Sequence, residues 1–127
     1  MQAASARPLK QGKPSVTTCA PGTIANADAR AASAWLIDAS VGDPRLPYCA
    51  AVPFLTIMGL LAGAHVLARA AQAANEMARA GDSDGYLGAK LTLAQFYATQ
   101  HLPQIASLWA SMRYGSGSVY AFDERHL

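Results

Sequence analysis

The sequence predicts an all-α protein, and three observations support that fold class. Alanine, the strongest helix former, provides 28 of the 127 residues, whereas β-branched residues are scarce. Hydrophobic residues make up 52% of the chain and charged residues 14%, which predicts a folded core and excludes a wholly disordered chain. Two long segments carry apolar residues at helical spacing. We therefore expect a helical bundle made of a short helix and a long antiparallel αα-hairpin.

The N-terminal part of the chain differs from the rest. Residues 1–26 contain three prolines and two glycines, and their apolar residues follow no helical or strand period. They are predicted to form a flexible arm, followed by a helical domain over residues 27–127. The length of the chain allows one such domain, but not a cofactor domain beside a separate substrate domain.

The first helix is predicted to begin at Asn26 or Asp28, because either side chain can accept hydrogen bonds from the free N–H groups of a first turn. It is expected to run to about Ser40. Trp35, Leu36 and Ala39 would then face inward. Gly42-Asp43-Pro44 should end this helix.

The second helix is predicted over residues 50–80, with Leu46-Pro47-Tyr48 as a connector because proline disfavours helical backbone in the preceding residue. Pro53 is tolerated near its start. Four polar residues recur at steps of three and four in its second half and should face water: Arg69, Gln72, Glu76 and Arg79. The turn Gly81-Asp82-Ser83-Asp84-Gly85 would lead into the third helix.

The third helix is predicted from Tyr86 to Tyr114, with a kink at Pro103, since an interior proline removes a hydrogen bond and crowds the preceding turn. Gly115-Ser116-Gly117-Ser118 would end the helix and lead into a short tail. An apolar stripe defines its inner face: Leu87, Leu91, Ala94, Ala98, Ile105, Trp109 and Met112.

Gly59 and Gly63 lie four residues apart in an uncharged stretch over residues 46–68. This GxxxG spacing allows close approach of two helices, so both glycines are predicted to lie at a helix–helix interface. The same stretch permits a membrane span. Pro47, Pro53, His65 and the soluble amphipathic pattern that follows favour a buried helix in a water-soluble protein instead.

Residue patterns for catalysis or metal binding are missing from the sequence. His65, His101 and His126 are not spaced as helical ligand pairs, so no metal site is expected. No GxSxG motif marks a nucleophile, and the glycine-serine run at 115–118 follows a helix instead of preceding one, unlike a phosphate loop. Glu76 is interpreted as a solvated helix residue. We therefore predict neither catalytic nor cofactor-binding residues.

Charge and cysteine content argue against a nucleic-acid-binding protein and a disulfide-stabilised protein. The net charge of +2 is dispersed along the chain, which gives no basic surface for nucleic acid. Cys19 and Cys49 form neither a CxxC pair nor a disulfide framework, and they are interpreted as reduced thiols. No apolar segment typical of a secretory signal follows the basic N-terminal residues. A cytoplasmic location is therefore expected.

Several motifs in the helical region resemble a known family. They are Ala-Val-Pro-Phe-Leu at 51–55, Gly-Leu-Leu-Ala-Gly at 59–63, Leu-Ala-Arg-Ala-Ala at 67–71, Ala-Lys-Leu at 89–91, Phe-Tyr-Ala at 96–98 and Leu-Pro at 102–103. In this order and spacing they resemble the extra C-terminal helical domain of one subgroup of acyl-CoA dehydrogenases. That subgroup includes enzymes similar to methylmercaptopropionyl-CoA dehydrogenase. The resemblance covers roughly residues 31–127.

The resemblance implies an accessory role. Members of the family are flavoproteins that remove hydrogens from the α and β carbons of an acyl-CoA, with a glutamate base and FAD held by upstream domains. Residues 1–30 depart from that upstream pattern. No catalytic glutamate is carried over to this sequence, and FAD is expected to bind only to domains outside these residues.

Three functional hypotheses follow. The first is a packing and oligomerisation domain, silent in catalysis by itself, with a second copy of the chain or an acyl-CoA dehydrogenase core as its partner. The second is part of a flavin-dependent oxidoreductase whose site is completed by another polypeptide. The third is a small membrane-associated helical dimer that uses Gly59 and Gly63. The sequence leaves open whether the chain is itself an enzyme.

Overall fold

The computed structural model describes residues 20–81, 85–121 and 125, and these residues confirm an all-α fold without strands. Four helices follow one another: α1 (Ala20–Gly42), α2 (Leu46–Arg79), α3 (Gly85–Gln100) and α4 (Gln104–Tyr120). Helix α2 contacts all three other helices, and α1 also packs on α4. The predicted hairpin is therefore present, with α3 and α4 together forming its second arm.

Helix α1 begins at Ala20, so the predicted start at Asn26 or Asp28 is wrong. Packing explains the difference, because Ala25, Ala29 and Ala32 recur at steps of three and four and are buried in the core. The predicted arm over residues 1–26 thus includes the start of a helix, while residues 1–19 lie outside the described part. The end of the helix at Gly42 agrees with the predicted turn at Asp43-Pro44.

Helix α2 begins at Leu46, so the predicted connector at 46–48 belongs to the helix. Pro47 lies in the first turn, where the missing N–H has no helical partner to lose. The helix ends at Arg79, one residue before the predicted end. Gly81 then adopts φ 99°, a left-handed conformation that glycine accepts without steric cost. Asp82, Ser83 and Asp84 of the predicted turn lie outside the described residues.

The predicted kink at Pro103 is a full break between two helices. Helix α3 ends at Gln100, residues 101–103 form a turn, and Pro103 is the N-cap of α4. Proline cannot donate a backbone hydrogen bond, and the flanking Leu102 and Ile105 are both buried, which fixes the turn against the core. The break lets the second arm change direction while it still follows α2.

Helix α4 continues to Tyr120, so the predicted exit at Gly115-Ser116-Gly117-Ser118 is wrong. The guanidinium of Arg45 lies 4.5 Å from the ring centre of Tyr120, and this contact supports the last turn. An exposed cation–π contact contributes about 0.5–1 kcal/mol, which is less than the roughly 2 kcal/mol that two glycines cost inside a helix. The described residues from Arg113 to Ala121 are exposed, so burial does not explain the helical conformation there. The remainder of the predicted tail lies outside the described residues, except for Ala121 and Arg125.

The core lies between α1, α2 and α4. Its buried members include alanines of α1 and the two fully buried isoleucines Ile57 and Ile105. Small alanines allow α1 to approach α2 closely, and Trp35 and Trp109 close one side with an edge-to-face contact of 5.8 Å between ring centres. The inward orientation of Trp35 and Leu36 is confirmed, whereas Leu91 of the predicted inner stripe is exposed.

Candidate functional site

Gly63 lies where α2 meets α3. The hydroxyl of Tyr97 would be 2.5 Å from a Cβ atom placed on Gly63, so close that the hydroxyl would have to move. The same hydroxyl donates a hydrogen bond of 3.1 Å to the carbonyl of Leu60. The absence of a side chain at Gly63 therefore makes room for Tyr97, and this glycine serves a helix–helix contact within the chain.

Gly59 has a different environment. It is exposed, and a Cβ atom there would meet nothing within 4 Å. The two glycines lie one turn apart on nearly the same face of α2 but have different neighbours: Gly63 lies under Tyr97 of α3, and nothing lies within 4 Å of a Cβ atom at Gly59. A contact with a second molecule through Gly59 remains a prediction.

The outer side of α2 is an exposed surface at regular spacing. Ten residues at alternating steps of three and four are all exposed, and we call them the outer seam: Arg45, Tyr48, Val52, Leu55, Gly59, Ala62, Val66, Arg69, Ala73 and Glu76. Its large apolar side chains are 64–83% exposed. A continuous apolar surface of this kind usually marks a contact with another protein or a membrane.

Helix α2 is also long and apolar enough to cross a membrane, judged by length and composition. Only 11% of its most apolar stretch is buried inside the bundle. The core helix of a water-soluble protein would be mostly buried, whereas the other helices cover only one side of α2. The polar residues Arg69, Gln72, Glu76 and Arg79 face water, as predicted from their spacing.

A polar cluster lies where the start of α2 meets the end of α4. Arg45 forms an ion pair of 3.1 Å with Asp43, and hydrogen bonds from its side chain and backbone lower the pKa of that carboxyl. Removal from water, followed by hydrogen bonding to the Cys49 thiol, raises the pKa of Tyr120 to about 12. The cluster connects two helix ends.

His101 stands in the turn that contains Pro103. Its ring lies 4.8 Å from that of Tyr97 and 5.8 Å from that of Phe96. It is partly buried between aromatic rings, and its backbone N–H bonds to the carbonyl of Tyr97. These contacts give His101 a packing role at the helix break.

No flavin or metal site is identified among the described residues. Their buried positions are all hydrophobic, none of their buried side-chain nitrogen or oxygen atoms lacks a hydrogen-bond partner, and no three metal-ligating side chains cluster among them. An open groove among them is lined by Arg69, Gln72, Ala73 and Glu76, which give it one positive and one negative side chain. No catalytic step is therefore assigned to these residues.

Sequence reasoning missed two features of these surfaces. Tyr97 lies in the Phe-Tyr-Ala motif at 96–98, but no local pattern indicates that its hydroxyl lies over Gly63 of another helix. The cluster of Arg45, Cys49 and Tyr120 joins residues distant in sequence, and no local spacing predicts it.

Comparison with known proteins identifies the family. Residues 17–123 match the family model described as "Acetyl-CoA dehydrogenase C-terminal like". No curated protein and no solved structure matches the chain. The match covers all four helices.

Proposed function

The chain belongs to the acetyl-CoA dehydrogenase C-terminal-like family, and from this premise we propose that it is an accessory helical domain that packs on other protein surfaces in an acyl-CoA dehydrogenase assembly. The observation that carries the proposal is the exposed outer seam of α2. An isolated soluble bundle would bury that surface, because exposed apolar side chains cost free energy in water. The quoted motifs favour the methylmercaptopropionyl-CoA dehydrogenase-like subgroup.

In this proposal the domain contributes no chemistry. Flavin binding and proton abstraction belong to other domains of the family, and the described residues offer neither a diphosphate cradle nor an activated base. Its partner is a second copy of the chain or a dehydrogenase core. We place it in the cytoplasm.

Assays of the purified full chain test the proposal that it neither binds flavin nor oxidises acyl-CoA by itself. We expect no flavin absorbance after purification or after incubation with FAD, and no reduction of an electron acceptor with short-chain and long-chain acyl-CoA substrates. A yellow protein with a bound-flavin spectrum, or acceptor reduction that depends on acyl-CoA, would contradict the proposal.

One observation favours each of the two other candidates. Family membership supports a part of a flavin-dependent enzyme completed by another polypeptide, and an adjacent reading frame for flavin-binding domains, whose product restores acyl-CoA oxidation when mixed with this chain, would establish it. The low burial of α2 supports a membrane-associated dimer. A chain that stays soluble only in detergent would favour that candidate.

A further inference from the structure

The outer seam has the spacing of a coiled-coil interface. Positions at alternating steps of three and four correspond to the a and d positions of a heptad repeat, which face a partner helix in a left-handed coiled coil. All ten positions are exposed, nine on α2 and Arg45 at its N-cap, over about 46 Å at 1.5 Å per residue. The seam is thus both accessible and in the correct phase for a long helix partner.

We propose that the partner is a second copy of this chain, bound antiparallel along the outer seam; the inference rests on the packing role proposed above. In an antiparallel coiled coil each a position faces a d position of the partner. If the two copies are paired about the midpoint of the seam, between Gly59 and Ala62, five kinds of layer result. They are Gly59 with Ala62, Leu55 with Val66, Val52 with Arg69, Tyr48 with Ala73, and Arg45 with Glu76.

The central layer is complementary in size, and the two end layers are complementary in charge. The smallest residues, Gly59 and Ala62, meet at the centre, and nothing within the chain fills the space beside Gly59. The helices can therefore approach closely there. At each end Arg45 meets Glu76 of the second copy, and Arg45 keeps its own Asp43 beside it.

A parallel arrangement would set like charges against each other. Arg45, Arg69 and Glu76 would each face the same residue in the second copy, and like charges at facing positions are destabilising. Charge therefore selects the antiparallel register. In the antiparallel register both ends of the seam carry an Arg45–Glu76 pair, so the seam of this chain is complementary in charge to itself.

A matched pair of charge substitutions at Val52 tests the register. In the antiparallel dimer Val52 faces Arg69 of the second copy, so Val52→Glu gains an ion pair and Val52→Lys meets a like charge. We expect the dimer dissociation constant of Val52→Lys to exceed that of Val52→Glu by at least about tenfold, measured by analytical ultracentrifugation. Val52 is 74% exposed, so both variants should fold, and circular dichroism checks this.

Disulfide formation provides a second measurement of the same register. In a background with Cys19 and Cys49 replaced by serine, we expect Leu55→Cys and Val66→Cys chains to form a mixed disulfide dimer upon oxidation. Leu55→Cys chains alone should not cross-link. Cross-linking of Leu55→Cys with itself would indicate a parallel dimer and overturn the proposal.

Other outcomes also overturn it. Equal dissociation constants for the two Val52 variants would show that the sign of the charge at position 52 does not matter. The outer seam would then be an apolar surface for a membrane or a different protein, and Val52 would not face Arg69 of a second copy. A native chain that stays monomeric would overturn it as well. Neither result alters the flavin and acyl-CoA assays, so failure of this inference is distinguishable from failure of the proposed function.

Discussion

The hydroxyl of Tyr97 occupies the space that a side chain at Gly63 would need, 2.5 Å from the position of its Cβ atom. This contact joins α2 to α3, and the hydrogen bond from Tyr97 to the Leu60 carbonyl fixes it. Gly63 of the GxxxG motif therefore serves a contact within the chain. The other glycine, Gly59, lies on the outer seam and is free to face a partner.

Replacement of Gly63 by alanine should destabilise the bundle. The added methyl group displaces the Tyr97 ring, which costs about 1–3 kcal/mol, and the higher helix propensity of alanine returns up to about 1 kcal/mol. The matched control is Gly88→Ala in α3, where a Cβ atom meets nothing within 4 Å. Urea unfolding should place the stability of Gly63→Ala about 1–3 kcal/mol below that of Gly88→Ala.

Addition of Tyr97→Phe to Gly63→Ala checks the cause of that loss. Removal of the hydroxyl relieves the closest contact, so the second substitution should cost less free energy in the Gly63→Ala background than in the native chain. Equal costs in the two backgrounds would show that Tyr97 and Gly63 do not interact.

Replacement of Ile57 by alanine tests the position of the core. Ile57 is fully buried, so the substitution should lower the free energy of unfolding by about 2–5 kcal/mol through lost burial and a new cavity. Ile37→Ala is the control, since Ile37 is 68% exposed and its loss should change stability by about 0.5 kcal/mol or less. Similar losses for both variants would contradict the assignment of the core.

Two N-terminal deletions test where the folded domain begins. Removal of residues 1–26 deletes the buried Ala25 and the first turns of α1, and it should lower the melting temperature by about 5 °C or more. Removal of residues 1–19 should leave the melting temperature within a few degrees. A small effect of the longer deletion would mean that the start of α1 contributes no packing.

The raised pKa of Tyr120 predicts a loss of stability at high pH. Because the folded state favours the neutral phenol, its stabilising effect is complete below pH 10, the ordinary pKa, and is lost as the pH rises through about 12. In urea unfolding across this range, Tyr120→Phe should lose less stability than the native chain. Parallel pH profiles would contradict a raised pKa.

The sequence predicted those features that depend on local composition and period. The high alanine content and the repeated apolar residues predicted the helices, and Gly42-Asp43-Pro44 predicted the end of α1. The boundaries that failed depend on tertiary contacts. Burial of Ala25 extends α1 toward the N-terminus, and Tyr120 at the end of α4 contacts Arg45, which no local pattern at 115–118 indicates.

The candidate surface was predicted only in part, for a similar reason. Residue spacing indicated a close helix contact at both Gly59 and Gly63. Spacing cannot show which face of α2 the other helices cover, because that depends on the paths of α3 before, and α4 after, the break at Pro103. Only the structure therefore shows that Gly63 serves a contact within the chain and that Gly59 is exposed.

The molecular mass of the native chain in detergent-free buffer tests the central claim most directly, that the outer seam binds a second copy. Light scattering across a range of protein concentrations should give the mass of a dimer, which returns to that of a single chain upon dilution or in Val52→Lys. A monomer at every concentration would contradict the claim.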